Sequence, residues 1–223
     1  MLIDTHCHIY YSEVENAEEI IKECKKNNIV MILNGIDKKS NLDVLELSKK
    51  YDNVYAAIGY DHSVVNEITD EDLKLLENQL KNEKVVAIGE IGLDYYWVKD
   101  NKEKQKKLFI KELELAEKYN LPVIIHSRDA VQDVYDILKT RNLRGSIHCY
   151  SGSTEMAKEF IKIGFNIGID GPITFKNNKK QREMVKNIDI NHILVETDSP
   201  YLSPEPHRGQ VKTYSLLNTS DEA

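Results

Sequence analysis

The sequence predicts an α/β fold: a single-domain (β/α)8 barrel of the TIM type, with its final helical region truncated or irregular. Three observations predict it. Short, β-branched apolar runs alternate with longer amphipathic ones almost from end to end, as parallel strands buried on both faces and joined by helices should read. Eight runs of the first kind and seven of the second are present, one helix short of the full barrel. The length of 223 residues supports one substantial core and falls slightly below the ~250 typical of the fold.

The strand-like runs are LIDTHCH (2–8), IVMILNGI (29–36), VYAAIGY (54–60), VVAIGEIG (85–92), PVIIHS (122–127), GSIHCYS (145–151), FNIGI (165–169) and ILVETD (193–198). Between them, helical periodicity covers roughly 15–28, 39–51, 70–82, 103–120, 129–141, 153–163 and 178–188. In EKQKKLFIKELELAEKYN (103–120), Leu108 and Leu115 fall on one stripe with Lys and Glu opposite. Asn120 before Leu121-Pro122 is a helix stop. No linker, repeat or low-complexity segment interrupts residues 1–209, whereas QVKTYSLLNTSDEA (210–223) has no apolar period and reads as an atypical tail.

Composition narrows the function classes. With 41% apolar and 30% charged residues the chain is an ordinary globular protein. A net charge of −7 disfavours a broad electrostatic grip on duplex nucleic acid. Bound divalent cations would reverse the sign locally, so an encounter with a strand end stays open. Three cysteines without CxxC spacing, no leader-like segment and no apolar run near ~20 residues predict a reduced, cytoplasmic setting and no membrane span. No feature indicates an oligomer.

Side chains two apart on a strand share a face, so His6 and His8 project together from the first strand. Glu90, His126, His148 and Asp198 each stand where an apolar run gives way to polar loop, on strands four, five, six and eight. Parallel strands finish on one rim, which brings the six residues around one opening. Any one of them alone reads equally well as a satisfied core group, but burying all six without partners would be costly. Nitrogen and carboxylate donors of this mix suit zinc, manganese or a similar ion. Six are too many for one ion with an open position; shared through a bridging carboxylate they suit two ions ~3.5–4 Å apart. Glu90 lies between the two groups in barrel order and is the natural bridge.

The segments IDTHCH, GEIGLDYY, IHSRDA, HCYSG and ETDSPYLSPEPHRG, in this order over about residues 2–209, resemble the signature segments of the TatD family of hydrolases, within the wider amidohydrolase-like barrels. The resemblance implies that His6, His8 and Asp198 hold one metal, that Glu90 bridges, and that His126 and His148 hold the other. It implies magnesium, manganese or zinc as the pair of divalent cofactors, and DNA as substrate, often single-stranded and attacked exonucleolytically from a strand end, in the 3′–5′ direction.

Around this set the remaining candidates take supporting roles. Asp198 is also a candidate to accept the proton of the attacking water. Arg128 and Arg208 are candidates for gripping phosphate, with rim salt bridges as the plainer reading. Asp4 and Glu196 share faces with the ligands and are expected to orient them from deeper in the barrel, with a plain internal ion pair as the competing account; Asp94 is a further candidate at the rim. Tyr95, Tyr96, Trp97 and Tyr150 follow strand ends and are placed either to stack on unpaired bases or to anchor loops. Cys7 and Cys149 alternate away from their histidine neighbours and are expected against the helix layer. His62, His192 and His207 are expected in solvent or capping positions.

Two departures from the family pattern stand out. GYDHSV (59–64) replaces a GxHPH-like turn, and the tail replaces an Asn-Glu-Pro stretch and further helices, which predicts an exposed outer face on strands one and eight. Two rival functions follow. One keeps the metals and hydrolyses an ester or amide bond, of a small molecule or an aminoacyl-tRNA. The other is an inactive truncated barrel.

Overall fold

A computed structural model describes residues 1–97 and 99–210. Apart from Gln210, the atypical tail therefore lies outside the described residues. The strands are β1 (Leu2–Cys7), β2 (Ile29–Asn34), β3 (Val54–Ile58), β4 (Val85–Asp94), β5 (Val123–Arg128), β6 (Gly145–Ile147), β7 (Phe165–Ile169) and β8 (Ile193–Val195). The helices between them are α1 (Ala17–Lys26), α2 (Lys38–Lys50), α3 (Asp70–Gln79), α4 (Lys102–Tyr119), α5 (Val131–Leu138), α6 (Thr154–Lys162) and α7 (Lys179–Lys186). All eight strands form one parallel sheet in chain order, the nearly closed barrel that the alternation predicts.

Local chemistry sets the helix ends. Asp37 accepts from the Ser40 amide at 2.7 Å to start α2, Thr69 and Asp72 form a reciprocal capping box on α3, and Ser153 caps α6. Asn120 ends α4 in the left-handed region at φ 52°. The main apolar core lies between the barrel wall and the helices, with Leu33, Leu47, Ile58, Phe109 and Phe160 fully buried. Ala57, Ala87 and Ile124, with Ile32 against them, form a separate small cluster. Ile32 and Ile124 are one inward step below Asn34 and His126, so this cluster is the floor on which the polar mouth rests.

The circle closes unevenly. Among the described residues no ladder joins β8 to β1, and side chains stitch that seam instead. The Asp4 carboxylate accepts from the Thr197 amide at 3.0 Å and hydroxyl at 2.7 Å, and Thr5 Oγ1 donates to the Val195 carbonyl at 3.1 Å. Beyond β8 the Asp198 amide donates to the His6 carbonyl at 2.9 Å, and the His8 amide to the Ser199 carbonyl at 2.6 Å. No helix follows β8 among the described residues, and Leu2, Ile3 and Val195 are 56%, 47% and 67% exposed on this flank.

Candidate metal centre

The mouth of the barrel gathers all six predicted donors. His6 and His8 present Nε2 atoms 3.1 Å apart. Glu90 Oε2 lies 3.4 and 3.3 Å from them, and Asp198 Oδ1 lies 3.5 and 3.4 Å away. The other oxygen of Glu90 turns to the opposite group: Oε1 is 2.8 Å from His126 Nδ1 and 3.8 Å from His148 Nε2. The His6 and His148 rings stack at 3.7 Å, which joins the two groups into one cluster. Overlapping triads of ligand atoms within 4.8 Å of one another run through it: His6, His8 and Glu90; His6, His148 and Asp198; Glu90, His126 and His148.

Backbone detail aims these side chains. Glu90 does not end its strand: β4 continues to Asp94, and the register against β5 slips between Ile88 and Ile91. Three steps on β4 face two on β5 there, a bulge that re-aims the carboxylate. The Glu90 amide is taken by the Gly35 carbonyl at 3.1 Å. Strands β6 and β8 stop at Ile147 and Val195, so His148 and Asp198 stand on the turns beyond. Asp198 has φ 55° and Cys149 φ 44°. The left-handed turn takes Cys149 out of strand alternation; it is half-buried, whereas Cys7 is fully buried as expected.

Each imidazole but one is held at its far side. His8 Nδ1 donates to the Asn34 carbonyl at 2.9 Å, which leaves Nε2 for the cluster. His148 Nδ1 meets Glu196 Oε1 at 3.1 Å; that same oxygen accepts from the Cys149 amide at 2.6 Å. Glu196 fits only because residue 168 is glycine, since a Cβ there would lie 2.4 Å from its Oε2. His126 Nε2 faces Asp94 Oδ2 at 3.0 Å, so Nδ1 is the nitrogen turned to Glu90. Gln105 on α4 accepts from the Asp94 amide at 2.8 Å and donates to its carbonyl at 2.9 Å. Such partners fix ring orientation and tautomer. The exception is His6, whose Nδ1 is buried with no hydrogen-bond partner among the described residues. Asp4 Oδ1 takes the His6 amide at 3.3 Å, so it holds that ligand's backbone as well as the barrel seam.

Charge is pooled here. Burial alone would favour neutral His8, but its hydrogen bonds to Asp198 and Glu90 outweigh burial and raise the imidazole to about 9. His126 is likewise pulled by burial and overruled by Asp94 and Glu90, reaching about 10. His6 is raised well above its ordinary value against burial, chiefly by the charge of Glu90. Burial pushes the Glu90 and Asp198 carboxyls up, yet the surrounding imidazoles hold both well below the usual carboxylate range. Ionised carboxylates balanced by protons on imidazoles form a donor set that a divalent cation satisfies directly, by supplying the positive charge and taking the nitrogen lone pairs. The residues fit a metal.

Three further groups border the cluster. His62 is not in solvent: its ring stacks on His126 at 5.1 Å and its Nε2 is 3.7 Å from Asp94 Oδ2. Asp61 beside it is buried. Asp170, just past β7, is buried, and its carboxyl is raised to about 7 by burial and then by the charge of Glu196. For Asp61 and Asp170 the signal was the one used for the ligands, a polar residue directly after an apolar run, and His62 stands one residue further on. His192 and His207 take ordinary partners, Asn166 and Gln210.

The expected substrate contacts separate. Tyr95 is 8% exposed with its hydroxyl on Asp133, and Tyr150 is 2% exposed with its hydroxyl on the Ser153 carbonyl. Both anchor loops, and their rings are withdrawn from the mouth. Arg208 lies over the Phe175 ring at 4.2 Å. Arg128 is exposed and lies over the Tyr96 ring at 4.0 Å.

Barrels of this form do their chemistry at the mouth, and nitrogen and carboxylate donors converging there define the class, a metal-dependent hydrolase. The family model described as TatD related DNase matches residues 3–219. A Bacillus subtilis relative, the uncharacterized metal-dependent hydrolase YabD, is 42% identical over 215 residues, covering 94% of this chain and 84% of that protein. The crystal structure of YjjV, a TatD homologue from Escherichia coli, superposes with a TM-score of 0.88 at 32% identity, over 95% of this chain and 84% of that one. A TatD family hydrolase of Entamoeba histolytica superposes with a TM-score of 0.81 at 25% identity, over 93% and 77% of the two chains. The chain belongs to the TatD family of metal-dependent hydrolases.

Proposed function

We propose that this chain hydrolyses phosphodiester bonds in DNA, acting on single-stranded ends in the 3′–5′ direction with two divalent cations, magnesium, manganese or zinc. One observation carries the reading: the two oxygens of Glu90 face two different groups of donors, Oε2 toward His6, His8 and Asp198, and Oε1 toward His126 and His148. His6, His8 and Asp198 would hold one cation, His126 and His148 the other, and Glu90 would bridge. When bound, such a pair lowers the pKa of a shared water and stabilises the charge that develops on phosphate oxygens. The family model's description, a DNase, favours phosphate over acyl substrates.

The protein's own part is orientation and proton handling. Asn34 and Glu196 keep the Nε2 atoms of His8 and His148 turned to the mouth. Asp198, held ionised by the imidazoles around it, is placed to accept the proton of the attacking water. No helix among the described residues is long and apolar enough to cross a membrane. The test is digestion of end-labelled single-stranded DNA with Mg²⁺, Mn²⁺ or Zn²⁺, beside an EDTA control and the Glu90→Gln chain. Stepwise shortening from the 3′ end that both controls abolish is expected. Cleavage indifferent to both would overturn the reading.

A further inference from the structure

Strand register places a second surface directly above the metal centre. On β5, Arg128 shares a face with His126 two residues earlier, and it pairs in register with Asp94 on β4. Two strand residues rise ~6.6 Å, so the Arg128 side chain leaves the wall about one nucleotide unit above a predicted metal ligand. The chain then turns sharply. Asp94 Oδ1 accepts from the amides of both Tyr96 and Trp97 at 2.9 Å, while its Oδ2 faces His126 at 3.0 Å. One carboxylate thus fixes the ligand imidazole and the aromatic turn against each other.

The rings on that turn differ from the one before it. Tyr95 is buried and tied to Asp133. Tyr96 and Trp97 are 48% and 67% exposed, and their rings meet edge to face at 4.9 Å. The Arg128 guanidinium lies 4.0 Å from the centre of Tyr96 and 5.3 Å from that of Trp97. Among the described residues Arg128 has no ion pair, although the chain carries a net charge of −7. A loop anchor would bury its rings. This group instead leaves aromatic surface and a guanidinium exposed at the rim, and a flat heterocycle joined to a phosphate presents complements to both.

We propose that Tyr96, Trp97 and Arg128 form a subsite for the unpaired nucleobase next to the scissile phosphate, with Asp94 as the residue that positions it over the metal centre. This rests on the phosphodiesterase reading for the identity of the ligand. It makes the platform, rather than sequence-reading hydrogen bonds, the source of selection for unpaired strands. A base held within a duplex has no free face to offer.

Two measurements test it. The first compares kcat/KM for strands ending in thymidine with strands whose terminal thymine is 5,6-dihydrothymine, which keeps the hydrogen-bonding edge and loses the aromatic face. The unsubstituted enzyme should prefer the planar base by about tenfold. Trp97→Ala and Tyr96→Ala should each reduce that preference severalfold, mainly through KM. A preference near one in the unsubstituted enzyme, or one unmoved in both variants, overturns the proposal. The second needs no turnover. Trp97 is the only tryptophan in the chain, so oligodeoxythymidylate should quench intrinsic fluorescence saturably, and a fully abasic strand of equal length should not. Quenching without hydrolysis would retain the subsite and remove the hydrolytic reading. Hydrolysis with equal response to both strands would do the reverse.

Discussion

Glu90 on β4 and Glu112 on α4 are both withdrawn from water, at 6% and 0% exposure, yet their carboxyls are driven in opposite directions. Around Glu90 stand His6, His8, His126 and His148, and it is held well below its ordinary value despite burial. Among the described residues Glu112 meets a single donor, the Tyr60 amide, at 2.7 Å from Oε1. Its Oε2 has no hydrogen-bond partner among the described residues, and burial, then the charge of Asp61, raise it well above the ordinary 4.5. Depth alone does not decide whether a carboxylate is a ligand; the groups that meet it do. Glu90 is driven toward its ionised form, the form in which it could meet a cation. Glu112 is driven toward its neutral form, and through the Tyr60 amide it holds the start of the loop carrying Asp61 and His62.

The largest effect that separates them should come from metal. Two cations at about 100 times their dissociation constants stabilise the fold by about 2.7 kcal/mol each, which for a chain of this size raises Tm by about 10–20 °C. Scanning fluorimetry with and without Mn²⁺ should show that shift in the unsubstituted and Glu112→Gln chains, and lose most of it in Glu90→Gln. An equal shift in all three would mean that Glu90 is no ligand. A smaller effect should follow from Glu196→Gln, which alters the oxygen that holds His148 Nδ1 and the Cys149 amide. Loss of such a partner typically costs about 10–100-fold in metal affinity. Titration calorimetry should register it in one of the two binding events, and an unaltered pair of isotherms would refute the role of Glu196.

How far this contrast was legible in the sequence depends on what each residue needed. Strands, helices and the six donors follow from alternation: each donor ends or follows an apolar run, and parallel strands share a rim. What escaped was set by events of one residue. The extra residue in β4 puts Glu90 inside the strand, and left-handed φ at Cys149 and Asp198 breaks the alternation that predicted their faces. Aromatic identity carried no direction, so Tyr95 and Tyr150 looked as available as Tyr96 and Trp97. On α4 the charge pattern assigned every glutamate to the outer face. Glu112 instead shares the buried stripe with Leu108, Phe109 and Leu113, because the only local cue, its spacing from them, was overridden by its charge.

That misplaced glutamate supplies the smallest and most pointed test. A folded-state pKa raised above the unfolded value adds stability that is fully present below the unfolded value near 4.5 and is lost as pH rises through the folded one. Glutamine keeps an acceptor for the Tyr60 amide and never ionises. The Tm difference between Glu112→Gln and the unsubstituted chain should therefore be near zero at pH 4 and should grow with pH. By pH 8 it should favour the variant by about 3–6 °C, the effect of about 1–2 kcal/mol. Because both chains keep Glu90 and its histidines, the titration of the mouth cancels in the difference. A difference that stays flat from pH 4 to 8 would show that Glu112 is ionised in the fold, and the contrast with Glu90 would then be one of partners without a difference in charge.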